Sequence, residues 1–317
     1  MIRNTHYEIR EHKPNTGGIS ISILPIPPPQ PMAFQLDDLH DLLDLEYIEH
    51  NIFRGRSVDI GSGNVFGGQA LAQSLVAAQR TVEDTRVPHS MHGYFILPGD
   101  VDAPIVYEVD RLRDGKSFTT RRIVAIQHGR AIFNMAASFQ VPEEGTEHQA
   151  EMPDVPGPDD LPRELELIRA VEDQIPEAVR SFYTRERPIE FRPVAPVDPF
   201  DPDPTPPTNH VWFRARGTLS DDRLTHQSLL AYASDYGLLS TALRPHGLSL
   251  VQPDLQVASL DHALWFHRPV RADEWLLYAM DSPSASGARG FVRGQIFSAD
   301  GTLVASVAQE GLMRVWE

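Results

Sequence analysis

A chain of 317 residues has room for two ordinary domains, or one duplicated domain, around a large core, and its 41% hydrophobic and 23% charged residues are the balance of a soluble globular protein. A formal net charge of −16 argues against nucleic acid or an anionic membrane as the main partner, but does not exclude an anionic ligand held in a local basic pocket. With no cysteine there is no disulfide framework, no thiolate nucleophile and no Cys-based metal site.

Residues 1–33 contain ILPIPPPQP, a run that favours extended polyproline conformation and cannot continue a helix or a central strand. The segment reads as a disordered extension, removable with little effect on activity or melting temperature. The ISILPI piece is broken by proline and no small-residue cleavage site follows it, which argues against a secretory signal; Glu8 and Glu11 argue against a transit peptide. No apolar run approaches the roughly 18 residues needed to span a bilayer, so a cytoplasmic location is expected.

The first compact region covers residues 34–141. Leucine at helical spacing predicts an amphipathic helix over 34–48, and 51–58 reads as a strand entering the turn Gly61-Ser62-Gly63-Asn64. That turn is an incomplete phosphate loop with no lysine after it. Small and apolar residues predict a second helix over 65–80, where Gly67 and Gly68 allow close approach by a neighbour or a ligand. Strands are expected over 90–97, 105–112, 117–128 and 131–141, the last two joined in a hairpin at Gly129. One helix followed by antiparallel strands is an α+β pattern in which the sheet wraps the helix.

Prolines over 142–209 read as a linker around one helical piece, 161–179. Residues 210–317 then return to the first order. A strand over 211–216 precedes a helix over 226–247, and strands follow over 257–267, 274–282, 288–297 and 303–313. GYFILPGD at 93–100 parallels LWFHRPVRAD at 264–273, and the Gly129 hairpin parallels Asp300-Gly301. This is a tandem duplication.

The helix over 226–247 is apolar nearly all round, which marks it as buried, yet it carries Asp235 with no basic residue three or four positions away. A buried, unpartnered carboxylate costs several kcal/mol, roughly, and is neutralised, hydrogen-bonded or kept for a task. Asp235 is therefore either a cap or kink before Gly237 or a general base of raised pKa.

The stretches VFGGQALAQSLVAAQ, HSMHGYFILPGD, RDGKSFTTRR, FRPV, HQSLLAYASD, DHALWFHRP, SASGARGFVRGQ and AQEGLMR occur in this order from about Leu42 to Arg314. In order and spacing they resemble the acyl-CoA thioesterase II family, the double hotdog hydrolases of medium- and long-chain acyl-CoA. The resemblance implies an α+β tandem hotdog, each half a curved antiparallel sheet around a long helix. It places the family's catalytic aspartate, hydroxyl and glutamine on Asp235, Ser259 and Gln309, with serine where the family often has threonine. Acyl-CoA is the implied substrate, no cofactor is implied, and a homodimer of double hotdogs is expected because a hotdog sheet leaves an edge for a partner to cover.

Thioester hydrolysis needs a placed water, a group to take its proton and donors for the oxyanion. Asp235 suits the base, Ser259 and Gln309 can hold the water, and backbone amides at a glycine-rich helix start, near Gly67 and Gly68, can face the oxyanion. No Gly-x-Ser-x-Gly elbow is present, so a covalent serine mechanism has no support. His89 is a candidate substrate-site residue or a structural hydrogen-bonding group. His89 with His92, and His262 with His267, lack partners at ligand spacing, so no metal is expected. Arg121, Arg122, Arg289 and Arg293 either meet coenzyme A phosphates or form solvated strand faces. The competing function is a hotdog protein that binds acyl-CoA without hydrolysis, or an enoyl hydratase; Tyr236, where a hydratase would carry histidine beside its aspartate, disfavours the latter. Aligning Trp265 with Tyr94 sets Pro88 against Ser259, and Gly301 with Gly129 sets Ala137 against Gln309, so one site per chain is expected.

Overall fold

The computed structural model describes residues 34–316 apart from Ser62; the extension expected over 1–33 lies outside the described residues. The first half runs α1 (Leu36–Leu43), β1 (Glu46–Glu49), β2 (Ile52–Gly55), α2 (Gly67–Gln79), β3 (Val87–Phe95), β4 (Ile105–Asp114), β5 (Phe118–Gln127) and β6 (Arg130–Gln140). The helix expected to reach residue 48 stops at Leu43, where its buried face of Leu39, Leu42 and Leu43 ends. Asp44 turns extended, and Glu-Tyr-Ile-Glu continues as the exposed edge strand β1. α2 is buried along nearly its whole length. Its two inward amides are satisfied: Gln69 Nε2 donates to Arg56 O, Gln73 Nε2 donates to Leu42 O, and Tyr107 donates to Gln73 Oε1.

The proline-rich segment is more structured than a single linker helix. It holds two short helices, α3 (Glu164–Ala170) and α4 (Glu177–Tyr183), separated where Pro176 cannot continue a helix, and then a strand, β7 (Ile189–Pro193). β7 lies at the sheet edge, the place where a terminal proline is tolerated. The second half continues with β8 (Thr208–Ala215), α5 (Arg223–Ser234), α6 (Leu238–Leu243), β9 (Leu255–Ser259), β10 (Asp261–Phe266), β11 (Leu276–Ser286), β12 (Arg289–Ser298) and β13 (Leu303–Val315).

All strands belong to one antiparallel sheet in the order β1-β2-β4-β5-β6-β3-β10-β13-β12-β11-β8-β7, with β9 also paired to β13. The order reads the same from either end once the halves are matched, and β3 pairs with β10 at the centre. The register agrees with duplication: Tyr94 faces Asn134 in one half as Trp265 faces Ser306 in the other. α2 and α5 pack directly on each other. Gly68 permits this, because a Cβ there would stand 2.2 Å from Tyr232 O, and Phe66 meets the Tyr232 ring edge-on at 5.1 Å.

Candidate active site

The second buried helix is not continuous. Asp222 caps the start of α5 by accepting from the Thr225 N–H. α5 ends at Ser234, Asp235 is its C-cap, and Gly237 turns the chain at φ 74°, a left-handed conformation that suits glycine, before α6 begins. Asp235 is thus at a helix break and is also a buried carboxylate, its side chain only 6% exposed. Tyr236, thrown outward by the break, donates to Glu164 Oε2 at 2.6 Å, accepts from Arg187 at 2.7 Å and stacks on Phe191 at 3.9 Å.

The N-terminus of α2 abuts this carboxylate. A Cβ on Gly67 would lie 2.5 Å from Asp235 Oδ2 and 2.9 Å from the Phe95 ring. Burial pushes the Asp235 pKa up to about 7, while the Gln309 amide and the Gly68 backbone N–H oppose the rise. Oδ1 has no hydrogen-bond partner of its own. The positive end of the α2 dipole therefore faces an acid with one free oxygen.

Gln309 lies mid-strand on β13, fully buried. Its Nε2 donates to Ser259 Oγ at 2.6 Å, and its Oε1 lies 2.7 Å from His262 Nδ1. Ser259 is the last residue of β9, opposite Gly311; the ladder shifts at Leu260, so β9 and β10 replace the single strand expected over 257–267. Burial lowers the His262 pKa to about 4, which keeps the ring neutral. Its Nδ1–H therefore donates to Gln309 Oε1, which leaves Nε2 as an acceptor 2.9 Å from the Ser234 hydroxyl, a group equally close to Ala231 O; the tautomer is set by the Gln309 contact. The arrangement points the Gln309 amide at Ser259. His262 Nδ1 is also 4.0 Å from Asp235 Oδ1. In the sequence His262 stands out only as a metal candidate; its alternation with buried Leu264 and Phe266 is the signal that it points inward.

The structure brings Asp235, Ser259, Gln309, Gly67 and Gly68 together. His89 is engaged apart from them, its Nε2 2.8 Å from Ser138 Oγ and its ring edge-on to Phe118. Arg121 is no phosphate ligand: it is buried, bonded to Thr81 and ion-paired with Asp114. Arg122, Arg289 and Arg293 are exposed strand residues paired with Asp110, Glu310 and Asp281. Among the described residues no group of three or more His, Cys, Asp or Glu is disposed to hold a metal, and no helix is long and apolar enough to cross a membrane.

Comparison with known proteins agrees with this architecture. Two family models match in tandem, the acyl-CoA thioesterase N-terminal domain over residues 56–140 and acyl-CoA thioesterase over residues 179–312. Acyl-CoA thioesterase 2 of Haemophilus influenzae is 44% identical, covering 90% of this chain and 100% of that protein. Human acyl-coenzyme A thioesterase 8 is 40% identical, covering 86% of this chain and 88% of that protein. Among solved structures, the acyl-CoA thioesterase II of Mycobacterium marinum superposes with a TM-score of 0.72 at 45% identity, over 87% of this chain and 98% of that one. A hot dog protein of Alicyclobacillus acidocaldarius, at 22% identity and a TM-score of 0.68 over 87% of this chain and 97% of that one, shares the fold. The fold is therefore the α+β tandem hotdog, and its class is the hotdog thioesterases. The chain belongs to the acyl-CoA thioesterase family and is an acyl-CoA thioester hydrolase.

Proposed function

We propose that this enzyme hydrolyses medium- to long-chain fatty acyl-CoA to free fatty acid and coenzyme A by direct attack of a water held by Asp235, Ser259 and Gln309. Asp235 takes a proton from the water as its oxygen bonds to the thioester carbon. The carbonyl electrons move onto oxygen, facing the first turn of α2 at Gly67 and Gly68, and return as the C–S bond breaks and the coenzyme thiolate takes up a proton. Gln309, fixed by neutral His262, orients the water together with the Ser259 hydroxyl. The observation carrying this reading is the buried Asp235 carboxylate, with its raised pKa and unpartnered Oδ1 beside the Gln309 amide. His262 stands near Asp235 as a hydratase histidine would, but both its nitrogens are occupied by Ser234 and Gln309, which disfavours the hydratase reading. No metal or cofactor enters this scheme. Each end of the sheet presents an edge strand, β1 and β7, and two chains pair as a homodimer in this reading, placed in the cytoplasm and in lipid metabolism.

The test is thiol release from acyl-CoA of graded chain length in excess EDTA. Wild-type activity should persist, and Asp235→Asn should lower kcat by roughly 10² to 10⁴, the scale of a lost general base. Strict dependence on an added divalent ion, or near-full activity in a folded Asp235→Asn variant, overturns the reading.

A further inference from the structure

β13 carries Gln309, Gly311 and Met313 on one face, since alternate residues of a strand point the same way and all three are buried. α6, which begins three residues after Asp235, lies over this face. A Cβ on Gly311 would come 2.4 Å from Leu239 Cδ2. On β12, its cross-strand partner Gly290 would place a Cβ 2.3 Å from Met313 Sδ and 2.6 Å from Ala242 Cβ. Two facing glycines thus leave out the side chains that would otherwise fill the layer between helix and sheet. Leu239 and Met313 fill it instead. Ser259 is paired with Gly311, so Leu239 covers the residue immediately beyond the Ser259–Gln309 hydrogen bond. At the far end, Met313 forms the buried floor of an open-sided surface cavity of about 220 Å³, lined also by half-buried Leu248 and by the exposed residues His246, Ala285, Ser286, Ala288 and Arg289.

We infer that the acyl chain runs from the Asp235 cluster beneath α6, along Gln309, Gly311 and Met313, and that Leu239 and Met313 yield to it and set the chain-length preference, the longest chains ending in the cavity. This rests on hydrolysis at Asp235. Leucine and methionine suit the role because neither is branched at Cβ, and methionine in particular repacks around irregular shapes. From Gln309 to Met313 is four strand residues, about 13 Å, the reach of an extended chain of roughly ten carbons. Chains of about eight carbons or fewer stop short of Met313; chains of about twelve or more pass it into the cavity.

Ala285 lies on the exposed end of β11, so Ala285→Trp fills the cavity without disturbing the core. In thiol-release assays, kcat/KM for acyl-CoA of about twelve to sixteen carbons should fall about tenfold or more, because each buried methylene is worth several-fold in affinity. For chains of about four to eight carbons it should stay within about twofold. Met313→Ala should raise the ratio of long-chain to short-chain kcat/KM. An unchanged profile in the folded Ala285→Trp enzyme overturns the inference. So does an equal loss at every chain length, which would mark the cavity as the coenzyme end. Failure of the catalytic reading is separate: it is seen in Asp235→Asn, whatever the chain-length profile of the active enzyme.

Discussion

Asp235 joins two demands that conflict. As a helix terminus it requires only a polar residue, but as the base of the proposed mechanism it must be an anion in a place that disfavours charge. Its pKa near 7 predicts that kcat/KM rises with pH through about 7 and then levels, since the working form is deprotonated. The sign for stability is opposite. An aspartate whose pKa rises from 3.8 to about 7 on folding binds a proton in the folded state that the unfolded chain has released, so between those values stability falls as pH rises. Asp235→Asn escapes that loss. Its melting temperature relative to wild type should therefore become more favourable between pH 5 and pH 8, as measured by thermal denaturation at both. A pH-independent drop would show that the side chain acts only as a cap. His262 is complementary: burial holds it neutral, and neutrality is what gives it one donor for Gln309 and one acceptor for Ser234.

The break between α5 and α6 is held from outside the duplicated pattern. Tyr236 is gripped by Glu164 of α3 and by Arg187, just before β7, so the connecting segment reaches the residue next to the carboxylate. Arg187 and Glu164 are each about three-quarters shielded, at 25% and 29% exposure. Loss of the guanidinium leaves the Tyr236 oxygen without its donor and Glu164 with Tyr236 as its remaining partner, and hydrogen bonds to charged groups contribute on the order of 2 kcal/mol. Arg187→Gln should lower the melting temperature by a few degrees. Because the residues share one network, Arg187→Gln with Tyr236→Phe should cost less than the sum of the single changes. Strict additivity in thermal denaturation would show that the contacts are independent.

Across the whole molecule the two halves share a sheet, but the first half does not repeat the Asp235, Ser259 and Gln309 side chains. Pro88 stands where Ser259 does, and Ala137 where Gln309 does, as the matched registers require. The C-cap of α2 is Arg80, which bonds to Leu45 O and Asp44, whereas that of α5 is Asp235. Arg121, cross-strand from Ala137 as Val292 is from Gln309, is buried and bonded to Thr81 just beyond α2. The first half contributes the start of α2 to the other half's carboxylate. Calorimetric titration with a non-hydrolysable acyl-CoA analogue should give one ligand per chain; two equivalent ligands would overturn this account.

Periodicity, proline placement and the repeated strand series were enough to read the α+β duplication, because inward faces are written locally, every second residue of a strand or along a helical stripe. Asp235 also stood out locally, as an acid in an apolar stretch without a nearby base. Ser259 and Gln309 were ordinary strand residues until the family resemblance singled them out. What the tertiary structure decided is which faces meet. Gly67 and Gly68 show only that something approaches closely; that it is Asp235 and Tyr232, across the junction of the two halves, depends on how α2 and α5 cross. Arg121 has the charge of a phosphate ligand, and only packing shows it sealed beneath Thr81. The break at Gly237, the division of β9 from β10 and the neutral His262 that aims Gln309 likewise depend on partners remote in sequence. A residue's own neighbours along the chain settle which way it points, while its pKa and its hydrogen bonds are set by whatever long-range packing brings opposite it.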